Sequence, residues 1–168
     1  MSYQEKRVIT SIVTGVLILA AYCIYAFGRF HTGAVAPNDL KFWASSILIF
    51  IGIGVVASIV IQIVFHILLA ISIAVKKKIQ DEKCEDKEIE KNIQAEMVED
   101  EMDKLIELKS MRLAFVPAGI GFIAALVLLI LNYSPAVMLN ILFFSFCVGS
   151  LFEGFAQLYF YRRGLKNG

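Results

Sequence analysis

The chain has 168 residues, 58% hydrophobic and 18% charged, with a mean hydropathy of +0.72. That is too apolar for an ordinary soluble domain. A formal net charge of +1 leaves no electrostatic footprint for nucleic acid. The three cysteines form no Cys-x-x-Cys pair and have no histidine set beside them, which speaks against a zinc site or a disulfide framework.

Four apolar runs organise the chain: Val8–Phe27, Phe42–Val75, Leu113–Leu131 and Ala136–Tyr161. Each is about as long as the ~20 residues that a helix needs to cross ~30 Å of hydrocarbon, or longer. Backbone inside lipid must satisfy its own hydrogen bonds, so the runs predict helices rather than strands. The fold class that follows is all-α: a polytopic membrane protein with four transmembrane helices and a cytosolic helical stalk between the second and third. Fourteen of the 16 Lys and Arg residues lie in the N-terminal tail, the central segment and the C-terminal tail; only Arg29 and Lys41 flank the other connections. By the positive-inside rule both termini are cytosolic and the protein is a multi-pass protein of the plasma membrane.

The first run follows Glu5-Lys6-Arg7, as a signal peptide would, but it is longer than the usual apolar core of such a signal and meets no polar mature start. It is read as a retained span. The connection Gly28–Lys41 holds the turn-formers Gly33, Pro37 and Asn38, together with His31, a solvated loop histidine in the simplest reading and a pH or metal sensor in the sharper one. Asp39 is placed to cap the next helix, and Phe42-Trp43 to anchor it at the outer headgroups. The second run is 34 residues, about 50 Å of helix, so part of it should protrude on the cytosolic side before Lys76-Lys77-Lys78. With this connection the first transmembrane hairpin occupies residues 1–75.

Residues 76–112 form a second unit, with twelve acids and nine bases among strong helix formers. The pairing of Lys83 and Lys87 with Asp86 and Glu90 suits a solvated helix. Apolar residues recur at Ile89, Ile93 and Met97, then at Met102, Leu105, Ile106 and Met111, a narrow stripe fit for a partner helix. Reversal of the chain is expected around Asp81–Asp86, and a kink at Pro117, where the third span begins. The second hairpin, 113–168, turns at Asn132-Tyr133-Ser134-Pro135 and ends in Tyr159, Phe160 and Tyr161 before Arg162-Arg163.

Few side chains inside the spans carry chemistry. Glu153 is the only acid deep in any run, about 13 Å from the boundary at Arg162. Gln157 shares its helix face, with Ser150 three residues back. The second run carries a similar ladder at Ser58, Gln62 and His66. In one reading these residues make a proton- or substrate-handling site, with Glu153 titrating, His66 relaying protons and the amides orienting. In the other they are polar glue between helices, worth about 1 kcal/mol each. Aligning Val55–His66 with Ser150–Tyr161 pairs Gln62 with Gln157 and Phe65 with Phe160, a weak sign of an internal duplication. Gly15, Gly52, Gly54, Gly149 and Gly154 offer close helix approach.

The run Glu99–Lys109 before the third span resembles a pattern of small uncharacterised prokaryotic four-span membrane proteins, Asp-Glu-Arg-Asp followed by a basic amphipathic turn. Met102 stands where that pattern has Arg. The resemblance covers about the last seventy residues and implies a prokaryotic four-span protein without assigning functional residues.

Function is read three ways. The first is an accessory or regulatory membrane protein that docks a cytosolic or membrane partner through Lys76–Arg112, with Ile89, Ile93 and Met97 as contacts. The second is a small proton-coupled transporter or channel using Glu153, working as a homo-oligomer because four helices rarely enclose a polar pathway. A membrane enzyme is the third and is set aside, since no convergent catalytic pair is visible. Neither a cofactor nor a metal is expected; the lipid bilayer is the one partner common to all three.

Overall fold

Each apolar run forms a helix that extends past the run predicting it. The computed structural model describes residues 3–80 and 101–164. Four helices account for nearly all of them: α1 (Tyr3–His31), α2 (Leu40–Gln80), α3 (Glu101–Ile130) and α4 (Pro135–Arg163). All four are long and apolar enough to cross a membrane, and among the described residues there is no strand. The stripe at Ile89, Ile93 and Met97 and the reversal expected at Asp81–Asp86 lie outside the described residues.

Local signals set the ends. Asp39 caps α2 as expected, its Oδ1 accepting the Phe42 amide at 3.0 Å. Ser134 caps α4 with its hydroxyl toward the Ala136 amide, and Pro135 occupies the first turn, where a missing N–H costs nothing. Asn132 takes φ 64°, a left-handed conformation that Asn tolerates and a tight helical turn uses. His31 ends α1 instead of standing in the loop, because the helix continues beyond Gly28. Likewise α3 starts at Glu101 and α2 continues to Gln80, so both helices cross the borders between apolar run and charged segment. At 41 residues α2 is about 61 Å long. Pro117 sits inside α3 without ending it.

The two short connections, 32–39 and 131–134, share one end of the molecule, here the connection end; the opposite, terminal end carries the start of α1 and the end of α4. At the connection end α1, α2 and α4 converge on Tyr22, Ala26, Trp43, Ala136 and Phe143. The Tyr22 ring lies 4.6 Å from Phe143 and edge-on to Phe50 at 5.5 Å, the offset geometries that aromatic quadrupoles favour. Trp43 is only 4% exposed, with Phe27 at 5.8 Å and Phe30 at 6.1 Å. Ser134 Oγ reaches Pro37 O at 3.4 Å and ties the two connections together.

α3 stands outside this trio. Its backbone approaches α4 closely and, among the described residues, no other helix. Small residues permit the approach. A Cβ at Gly149 would meet Ala114 O at 2.6 Å, and one at Gly121 would collide with the Ser145 side chain. Gly154 faces Ile12 and Gly15 faces Leu151 across the α1–α4 contact, whereas Gly52 has no neighbour within 4 Å.

Candidate functional site: a crevice at the terminal end

Away from the aromatic cluster the bundle opens. From Ile47 to Phe65 no α2 side chain is fully buried; Ile47 and Phe50 still pack on the aromatic cluster, while past them α1 and α4 go on touching each other at Gly15–Leu151 and Gly154–Ile12. A crevice of about 980 Å³ lies between α1, α2 and α4, and the first turns of α3 reach its rim. Phe50 and Phe143, shared with the aromatic cluster, line its inner part. The walls toward that part are Ile18 and Leu19 of α1, Ile47 and Ile51 of α2, and Leu139 and Leu142 of α4. Toward the terminal end the lining becomes polar.

The structure brings four of the predicted polar residues to this one space. Glu153 and Gln157 line it from α4, Ser58 and Gln62 from α2. Their shared face follows from four-residue spacing on each helix. Gln157 Nε2 donates to Glu153 Oε1 at 3.3 Å. Ser58 Oγ instead turns back on its own helix and donates to Gly54 O at 2.9 Å. His66 lies on α2, one turn beyond Gln62, and its side chain is outside the described set.

Sequence reasoning missed the other charged members. Arg7 of α1 and Asp103 and Glu107 of α3 also line the crevice. The register explains why: Gly121 lies opposite Ser145 and Ala114 opposite Gly149, so the next turns of α3 bring Ser110 and Glu107 level with Glu153 and its neighbours. Ser110 is fully buried there, and its Oγ has no hydrogen-bond partner among the described residues. The signal available was the run of strong helix formers without Gly or Pro from Glu101 to Val116, which puts Asp103 and Glu107 on the same helix as the span.

A second polar contact missed from sequence lies deeper. The Tyr22 hydroxyl donates to Asn140 Oδ1 at 2.6 Å, and Asn140 Nδ2 donates to Ala136 O at 2.8 Å. This pair joins α1 to α4 on the sealed side of the crevice. Cys23 and Cys147 are half-buried free thiols beside it.

The arrangement defines a class: a bundle of four membrane-length helices with an amphiphilic crevice, apolar at its inner part and acid-rich at its rim. No family model, curated protein or solved structure matches this chain.

Proposed function

We propose that the four helices cross the plasma membrane with both termini cytosolic, and that the crevice is a chamber in which Glu153 exchanges protons as part of a small, oligomeric, proton-coupled transporter or channel. The observation that carries this reading is the convergence of Glu153, Gln157, Ser58 and Gln62, from two helices, on one open space. Glue needs polar groups facing each other across a closed contact. Here, however, Ser58 is bonded to its own backbone and Glu153 to a residue of its own helix, while the space between α2 and α4 stays open. A carboxyl held at that depth faces a cavity, the usual setting for an intramembrane acid that works.

The test is proton flux. In proteoliposomes carrying an imposed pH gradient and an entrapped pH dye, the parent protein should dissipate the gradient several-fold faster than Glu153→Gln. That substitution keeps an amide in the carboxyl's place but cannot exchange a proton. Equal rates for the two proteins would sink the reading.

A second reading, a regulatory protein that docks a partner through residues 76–112, draws on the helices themselves. α2 exceeds a bilayer by about 30 Å, and α3 begins twelve residues before its apolar run, so charged turns extend from both. It requires the central segment to be reachable by soluble molecules, a requirement Cys84 can report.

A further inference from the structure

We infer that the crevice takes a hydrophobic cation, an organic ammonium or phosphonium with an apolar body, and that Glu153 and Glu107 supply its counter-charge. This rests on the reading of the crevice as an open chamber and adds the chemistry of what fills it. Among the described residues, three acids line the space, Asp103, Glu107 and Glu153, with one base, Arg7. They come from two helices, α3 and α4, and Arg7 from a third. Glu153 is half-buried at the rim, beside the apolar part walled by Ile18, Ile51 and Leu142, where a carboxylate is favoured by protonation or by a cation. An inorganic ion would use the acids but leave the apolar walls against water. An anionic lipid would use the walls but meet the wrong charge. Only a cation with apolar bulk matches both halves of the lining, and about 980 Å³ admits a molecule of drug size.

Protons and such a cation would compete for the same carboxylates. Among the described residues, the charged and polar groups that share the terminal part of the crevice with Glu153 are Glu107 and Asp103 from α3, Arg7 and Gln4 from α1, Gln157 and Tyr161 from α4, and the uncharged Gln62 and Ser58 from α2. Cation binding should therefore weaken as pH falls and the acids become protonated.

Tetraphenylphosphonium, with tetraphenylborate as an anion of nearly the same shape, separates charge from hydrophobicity. With the full chain in nanodiscs, equilibrium binding should show saturable uptake of the cation above that of empty discs and no saturable uptake of the anion. Glu153→Gln and Glu107→Gln should each weaken the cation several-fold, as removal of an acid beside a bound cation predicts. Glu101→Gln, at an acid outside the lining, should not. Circular dichroism should show unchanged helix content in each variant, and if Glu153→Gln fails to fold, Glu107→Gln carries the same expectation. Equal binding of cation and anion would overturn the inference, pointing to a lipid groove, as would cation affinity that ignores both substitutions. Absence of cation binding, with proton flux still dependent on Glu153, would reject the ligand class and leave the chamber reading intact. Absence of both would reject the two together.

Discussion

Burial of the Tyr22 phenol is complete, yet its hydroxyl is satisfied, because Asn140 on α4 accepts from it at 2.6 Å. An unpaired acceptor in that setting has no water to turn to. Tyr22→Phe should therefore destabilise the bundle by about 1 kcal/mol, since Asn140 Oδ1 loses its donor. Adding Asn140→Leu should recover part of that loss, because the stranded amide oxygen is gone. Denaturant titration in mild detergent reads both effects; a Tyr22→Phe variant as stable as the parent would show that the contact contributes nothing. The two polar ladders were legible because i and i+4 residues share a helix face whatever the tertiary structure. The partnership of Tyr22 with Asn140 spans 118 residues of sequence, and no local rule links them.

At the scale of the element, α3 and α4 pack closely along their length, and Gly149 is one reason they come so close. Its missing Cβ is occupied by the Ala114 backbone carbonyl, which cannot rotate away. Gly149→Ala should push the helices apart and cost about 1–3 kcal/mol, the range of overpacked sites. Gly154→Ala meets only the Ile12 side chain, which can shift, so its cost should be smaller. Thermal unfolding followed by helical circular dichroism orders the two variants; the reverse order would mean that the α1–α4 contact is the less forgiving one. Helix existence was legible from apolar length, but how far α1 and α2 continue beyond their apolar runs, and α3 ahead of its own, was not set by it. Charged and polar residues of good helix propensity continue a helix as readily as apolar ones do, so composition marks where lipid ends and leaves the helix end open.

For the whole molecule the proposed orientation makes a firm demand on Cys84. In a Cys23→Ala, Cys147→Ala background, a membrane-impermeant thiol reagent should label Cys84 only once the cytosolic face is opened, as the clustering of basic residues requires. Labelling in intact cells would invert the orientation, and no labelling from either face would remove the support for a docking segment. By itself the sequence determined the number of membrane-length helices, their all-α class and the two polar faces, because those depend on apolar length and on a 3.6-residue period within one segment. Only the tertiary structure decided that α1, α2 and α4 share the aromatic core while α3, among the described residues, leans on α4. It also decided that α2 has no buried side chain from Ile47 to Phe65, which opens the crevice. And it placed Arg7, Asp103 and Glu107 with Glu153. Those outcomes rest on which small residues let two particular backbones meet, a pairwise property of distant segments that no single helix's pattern contains.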